Sequence, residues 1–227
     1  GIPLPLRRGP RLRTSGRLRS SCQRDDGRRA LELCYPSAAD AVGEVSTEEY
    51  VASFLPEGHA AAAGDTGYEG TRALLAALDL GPGDALCDLG SGCGQVVLQA
   101  RLTTPVGRAV GIELSAERHR RACAALQRLR AMGLGGAEHS VEFRRGDFLR
   151  ADVSGFTAFY AASLAFRGRT LERLAAHLRH AAPRGAALLT QRRLPPEAER
   201  GFERCASLRV PCSWGPCLEV LRYRVSP

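Results

Sequence analysis

The 227-residue chain contains no lysine, so arginine supplies all 32 of its Lys and Arg residues. It has no apolar run near the length of about eighteen residues that a membrane-spanning helix needs, which excludes a transmembrane protein. Eight cysteines are present, but none forms a CxxC pair and no Cys/His cluster has zinc-finger spacing. We therefore predict no metal site and interpret the cysteines as small apolar residues in a reduced compartment. A partial metal site at Cys205, Cys212 and Cys217 would need a distant fourth ligand.

Basic charge is concentrated at the N-terminus. Apolar residues make up 44% and charged residues 25% of the chain, and the formal net charge is +8. Residues 1–33 hold nine arginines and three acids, and they show no helical or strand period over 1–30. We predict a basic, disordered arm over 1–33, a poorly defined lead-in segment over 34–66 and a catalytic domain over 67–227. Residues 1–30 could be a basic arm that contacts phosphate or an acidic protein surface, an organelle-targeting segment, or only a solvated extension or a fragment edge. As an arm, the arginine-rich residues 7–29 could contact nucleic acid without sequence specificity.

From residue 64 onward, strand-like and helix-like patterns alternate. Gly-Pro turns separate several of them, and the last two strand-like runs flank a Ser-Trp-Gly-Pro turn that is typical of a hairpin. The pattern predicts an α/β fold with a doubly wound, mostly parallel seven-stranded sheet and a C-terminal antiparallel hairpin. The predicted strands are Ala85–Leu89, Arg108–Leu114, Val141–Asp147, Phe156–Ala165, Ala186–Arg192, Cys205–Cys212 and Cys217–Val225.

A glycine-rich turn, Asp88-Leu89-Gly90-Ser91-Gly92-Cys93-Gly94-Gln95, joins the first strand to a helix. Ligands of doubly wound sheets bind at the carboxyl ends of the strands, where glycine lets the backbone approach them closely. Three acids mark the ends of three successive strands: Asp88 can meet an ammonium group, Glu113 the ribose hydroxyls and Asp147 an adenine amine. This set suits S-adenosylmethionine, which carries a cation, a ribose and an adenine but no phosphate.

Several of these residues resemble a known family. Asp88–Ala100, DLGSGCGQVVLQA, is similar to the first motif of the class I methyltransferases, and its QVVLQ continuation is typical of the non-SET histone-lysine methyltransferases of the disruptor-of-telomeric-silencing (Dot1-like) type. Arg145–Leu149 is similar to the adenine-contacting segment of that family, and Ser213–Gly215 has a late counterpart. Tyr160–Phe166, YAASLAF, aligns with its fourth-strand motif, but Ala162 and Ser163 replace the usual pair of asparagines.

The resemblance covers roughly residues 64–225 and implies a cofactor site within them. The cofactor-binding residues would be Glu69, Asp88, Gly90, Gly92, Gly94, Gln95, Glu113, Gly146, Asp147 and Phe148. Tyr68 and Glu69 look like a rearranged form of the loop that covers the cofactor in the family. The residues on the acceptor side, which we assign as catalytic, would be Tyr68, Ser163, Phe166 and Trp214.

The implied activity is methyl transfer from S-adenosyl-L-methionine to a protein lysine, with a histone or nucleosome as substrate, a role in chromatin and a location in the nucleus. One alternative is a lysine methyltransferase for a non-histone protein in an organelle or the cytoplasm. Another is a non-catalytic module that binds the cofactor or nucleic acid, in which loss of the asparagine pair has removed turnover. The donor methyl is already activated, so no strong general base is required, and none is evident in the sequence.

Overall fold

The computed structural model describes residues 21–37, 66–134, 140–212 and 215–227, and for 21–25, 215 and 216 only the backbone. Its helices and strands follow the predicted alternation. In chain order they are α1 (Ser21–Cys34), α2 (Gly67–Leu78), β1 (Ala85–Leu89), α3 (Gln95–Thr103), β2 (Arg108–Glu113), α4 (Ala116–Ala131), β3 (Val141–Arg145), β4 (Ala158–Ala161), a 3-10 turn (Ser163–Ala165), α5 (Gly168–Ala181), β5 (Ala187–Thr190), α6 (Pro196–Glu199), β6 (Phe202–Cys212) and β7 (Gly215–Val225).

The seven strands form one sheet in the order β3-β2-β1-β4-β5-β7-β6. Strands β1 to β5 pair in parallel, and β7 pairs antiparallel with both β5 and β6. This confirms the predicted α/β sheet with a C-terminal antiparallel hairpin. The fourth strand ends at Ala161 rather than Ala165, because the chain turns there into the 3-10 turn.

Two apolar layers enclose the sheet, and alternation along each strand supplies both of them. On β1, Cys87 and Leu89 face the layer that holds α5 and α6, whereas Leu86 faces the layer that holds α1 to α4. Because the first five strands are parallel, their carboxyl ends meet along one edge. The glycine-rich turn and the acids at the ends of β1 and β2 are brought together at that edge.

Helix α1 corrects one prediction. Residues 21–33 are helical, so the expectation of a disordered arm is wrong for that part of 1–33, and residues 1–20 lie outside the described residues. Gly27, Ala30, Leu31 and Cys34 are buried at a spacing of i, i+3, i+4 and i+7, which is one face of a helix. Arg128 Nη1 donates a hydrogen bond of 2.7 Å to the Cys34 carbonyl and fastens this helix to α4. The folded unit therefore includes residues that precede 67.

The described cysteines are all free thiols, and three of them, Cys34, Cys87 and Cys93, are buried among apolar neighbours, whereas Cys205 and Cys217 are exposed. Across the described ranges, no group of three or more His, Cys, Asp or Glu side chains is placed to hold a metal ion. None of the helices in those ranges has the length and apolar character that crossing a membrane requires.

Candidate cofactor site

The turn after β1 depends on glycine for its backbone conformation. Gly90, Gly92 and Gly94 have φ angles of +88°, +54° and +88°, a region that other residues rarely adopt. The amides of Gly90 and Ser91 both donate to the carbonyl of Ile112, at 2.9 and 3.1 Å. The turn is therefore fixed to the end of β2, where one of the predicted acids lies.

The three glycines meet different surroundings. A Cβ atom on Gly94 would overlap the ring of Phe143, so this glycine permits close packing between the start of α3 and β3. A Cβ on Gly92 would meet nothing within 4 Å and would project into open space. Gly94 therefore serves packing, whereas a ligand has room beside Gly92.

Asp88 is a buried acid with one oxygen that has no hydrogen-bond partner. Its side chain is 2% exposed, and its Oδ1 atom is buried without a hydrogen-bond partner. Burial, and secondarily the nearby charge of Glu113, raises the pKa of Asp88 to about 8. An unpartnered carboxyl oxygen at the start of the glycine turn fits the prediction that this residue meets an ammonium group, so the donor set suits S-adenosylmethionine.

Glu113 ties the ends of β1 and β2 together. Its Oε2 accepts a hydrogen bond of 2.8 Å from the Gly92 amide, and its Oε1 accepts one of 2.8 Å from the Ser115 amide. Each carboxylate oxygen can accept two hydrogen bonds, so both oxygens retain acceptor capacity for ribose hydroxyls. The predicted ribose residue is thus also a brace for the turn, which the sequence did not indicate.

The residues predicted to hold adenine lie in the connection after β3. Asp147 Oδ1 accepts a hydrogen bond of 2.9 Å from the Leu149 amide, and a Cβ on Gly146 would meet open space. Phe148 stacks on Phe166, with ring centroids 5.5 Å apart and an interplanar angle of 19°. From the sequence, Phe148 was assigned to the adenine and Phe166 to the acceptor side, and the structure packs both rings within one core layer.

Ser163 holds the backbone at the end of β5. It has no exposed surface, and its Oγ accepts hydrogen bonds of 3.0 Å from the amides of both Gln191 and Arg192. The hydroxyl is enclosed and engaged by the backbone, which indicates a positioning role for Ser163, and its contact with an acceptor stays a prediction. Arg192 Nη1 in turn donates to the Phe166 carbonyl, which joins the turn after β4 to the end of β5.

Tyr68 and Glu69 begin helix α2 and do not form the predicted loop. The Tyr68 carbonyl accepts a hydrogen bond of 2.8 Å from Gln99 Nε2. Glu69 is half exposed and pairs with Arg72 of the same helix at 2.7 Å, so its carboxylate is engaged on the helix surface in this structure. Trp214, the remaining acceptor-side prediction, lies outside the described residues.

Tyr35 is a site residue that sequence reasoning missed. Its hydroxyl donates a hydrogen bond of 2.7 Å to the carbonyl of Cys93 in the glycine turn, across 58 positions of the chain. Tyr35 follows α1 directly, in a segment to which no element could be assigned from the sequence. In the sequence, the helical spacing of the small and apolar residues Gly27, Ala30, Leu31 and Cys34 is the signal that could have indicated a helix leading to Tyr35.

Sheet order and glycine turn together define a class of protein, because a 3-2-1-4-5-7-6 sheet with an antiparallel seventh strand is the fold of the class I methyltransferases. Residues 56–158 match the model of the family described as "Histone methylation protein DOT1". This match covers 103 of the 227 residues and confirms the resemblance over that part of the chain. No curated protein matches the sequence.

This chain shares its fold with solved structures of several kinds of methyltransferase. An RNA methyltransferase from Salinibacter ruber, in complex with S-adenosyl-L-homocysteine, is 24% identical, with a TM-score of 0.50 over 69% of this chain and 90% of that one. Magnesium protoporphyrin IX methyltransferase from Synechocystis PCC 6803, with bound S-adenosylmethionine, is 14% identical, with a TM-score of 0.52 over 71% and 80%. TrmN from Thermus thermophilus is 21% identical, with a TM-score of 0.51 over 68% of this chain and 48%, about half, of that one.

The family match and the shared fold confirm the predictions of a class I methyltransferase fold and of S-adenosylmethionine as cofactor. The acceptors named for these neighbours differ, from RNA to a porphyrin, so the fold by itself does not define the acceptor.

Proposed function

We propose that this protein transfers a methyl group from S-adenosylmethionine to a protein lysine, and that a histone in a nucleosome is its substrate. The match of residues 56–158 to the histone methylation family is the observation that supports this acceptor. The arginine-rich residues 7–29 would add electrostatic attraction to nucleosomal DNA, and the nucleus would be the corresponding location.

Three groups of the described site would bind the cofactor. Asp88 offers an unpartnered carboxyl oxygen to its positive charge, Glu113 offers acceptors to its ribose, and the open space at Gly92 leaves room for it. When bound, the cofactor supplies a methyl group already activated by a sulfonium. The protein therefore needs to align the donor and exclude water, and the braces at Glu113 and Tyr35 hold the turn for that task.

The acceptor side needs apolar surroundings more than a base. A lysine nucleophile must be neutral, and its pKa near 10.4 falls when the ammonium is desolvated or lies near another cation. The turn after β4 presents Phe166 beside Gly90, where a Cβ would lie 3.8 Å from the ring. Ser163 fixes that turn from within, because its Oγ accepts a hydrogen bond from the Gln191 amide.

Transfer of a radiolabelled methyl group from the cofactor tests this proposal. Nucleosomes, free histones, total RNA and a cell lysate would be compared as acceptors, and amino-acid analysis would identify methyllysine. Because these 227 residues contain no lysine, methyllysine in the reaction must come from the acceptor. The Gly92→Val variant is the control for cofactor-dependent transfer.

We expect label in histone lysine of nucleosomes. Label confined to another protein would support the alternative of a non-histone, organellar or cytoplasmic substrate, and label in RNA would contradict a protein acceptor. Binding of the cofactor without transfer to any acceptor would support a non-catalytic module, the alternative that the Ala162-Ser163 replacement favours.

A further inference from the structure

Basic charge outside the N-terminus is concentrated on helix α5 and in the turn that follows it. Residues 1–33 account for +6 of the formal net charge of +8, so residues 34–227 together carry only +2. Residues 167–184 nevertheless hold five arginines and a single acid, Glu172, a net charge of +4 with the histidines neutral. Because the whole chain uses arginine as its basic residue, the shortage of acids is what distinguishes this segment.

This charge lies on the exposed side of α5. The side that packs on the sheet is formed by the buried residues Thr170, Leu171, Leu174, Ala175 and Leu178. At the centre of the opposite side are Arg169, Arg173, Ala176 and His180, all exposed and spaced as one face of a helix. We call Arg169, Arg173 and His180, together with Arg184 in the turn after the helix, the α5 basic face. It contains no large apolar side chain.

The arginines of this segment have no carboxylate partner. Within the described ranges of the chain, no arginine between 167 and 184 forms an ion pair, and Arg184 donates one hydrogen bond, of 2.6 Å, to the Ser226 carbonyl. In other helices, exposed arginines pair with a glutamate three or four positions away: Arg28 with Glu32, Arg72 with Glu69, and Arg120 with Glu117. The α5 basic face is therefore open to an anionic partner.

Helix α5 extends from the acceptor side of the candidate site to the far side of the domain. It begins two residues after Phe166, at the carboxyl edge of the sheet, and returns to the amino edge, where β5 begins. Its 14 residues are about 21 Å long. A long polyanion on this face would thus pass beside the turn that carries Phe166.

We propose that the α5 basic face binds the phosphate backbone of a nucleic acid. The planar guanidinium fork matches the oxygens of a phosphate, and arginines clustered along one helix are the electrostatic footprint of nucleic-acid binding. A membrane fits this face less well, because stable attachment to lipid needs inserted apolar side chains or a lipid anchor besides basic charge. The contact is separate from the one proposed for residues 7–29, and it does not depend on which acceptor is methylated.

The salt dependence of binding tests the α5 basic face. Fluorescence anisotropy would measure the affinity of the full chain for a short DNA duplex, an RNA duplex of the same sequence and polyglutamate, each over a series of salt concentrations. The test variant combines Arg169→Gln with Arg173→Gln. The matched control combines Arg72→Gln with Arg120→Gln, which removes the same charge from exposed arginines that pair with a glutamate on their own helix. Thermal melting of both variants would check that the fold is retained.

We expect the test variant to lose at least about fivefold in affinity for one or both nucleic acids, and the larger loss identifies the preferred one. On duplex DNA, the slope of log affinity against log salt should fall in magnitude by about 1.8, since each phosphate contact contributes about 0.9. The control should stay within about twofold of the unaltered chain and keep its slope.

Three results would overturn the inference. The first is failure of the unaltered chain to bind either nucleic acid, or an unchanged affinity and slope in the test variant. The second is an equal loss in both variants, which would show that net charge alone governs binding. The third is an equal loss of affinity for polyglutamate, which would assign the face to an acidic protein. None of these results bears on methyl transfer, so the proposed function would stand or fall separately.

Discussion

Binding of S-adenosylmethionine should release a proton from Asp88 at neutral pH. The Asp88 carboxyl is buried, its Oδ1 has no partner, and its pKa is raised to about 8. At pH 7 such a group is about 90% protonated, whereas a cation bound beside it returns its pKa to the acidic range. The structure therefore predicts release of about 0.9 proton per ligand at pH 7.

Calorimetry in buffers with different ionisation enthalpies measures this number directly. Because binding is coupled to loss of a proton, affinity should rise with pH by up to about tenfold per unit below pH 8 and level off above it. Asp88→Asn should abolish the release and the pH dependence, which separates Asp88 from any titration of the ligand. Binding at pH 7 with no proton exchange by the unaltered chain would refute the reasoning.

The same pKa predicts how the ligand-free protein responds to pH. Between about pH 4 and pH 8 the folded state holds a proton on Asp88 that the unfolded state has lost. Its stability contribution is therefore fully present below pH 4 and is lost as the pH rises towards 8. Thermal melting of Asp88→Asn should lack this decline.

Two further predictions concern the turn and the N-terminus. Gly92→Val and Gly133→Val both place a side chain at positive φ where a Cβ meets nothing within 4 Å. Each variant should therefore lose about 1–2 kcal/mol of stability in denaturant titrations. Only Gly92→Val should also lose cofactor affinity in calorimetry, and equal affinity in both variants would contradict the placement of the ligand. Relative to a chain that lacks residues 1–20, a chain that lacks residues 1–33 should be less stable by more than about 2 kcal/mol, the cost of losing a buried leucine such as Leu31. Equal melting temperatures for the two truncations would show that α1 does not support the domain. The shorter truncation also tests the contact with nucleic acid, because loss of the arginines should reduce the salt dependence of binding.

The local parts of the site were predictable because they follow from residue type and short-range pattern. Glycine at 90, 92 and 94 indicated a turn with positive φ, and alternating apolar runs indicated the strands that it joins. Asp88 and Glu113 follow from the same pattern, because parallel strands place their carboxyl ends at one edge.

Other features depended on contacts between distant segments. Nothing in the sequence near Phe148 or Phe166 indicates that their rings stack, since the connections after β3 and β4 meet only when the sheet is formed. Ser163 has the residue type of a catalytic hydroxyl, and only its complete burial against the end of β5 shows that it serves the backbone. Helix α1 was missed because its arginines and acids obscured a short apolar face.

The order of helices and strands along the chain, the glycine turn and the acids that point to a sulfonium nucleoside could be predicted from residue type and spacing. Folding was needed to show that Tyr35 contacts the turn, that the Oδ1 atom of Asp88 is buried without a hydrogen-bond partner, and that Glu113 accepts a hydrogen bond from the turn. Burial and hydrogen-bond partners depend on segments far apart in sequence, such as residues 35 and 93, which come together only in the folded chain.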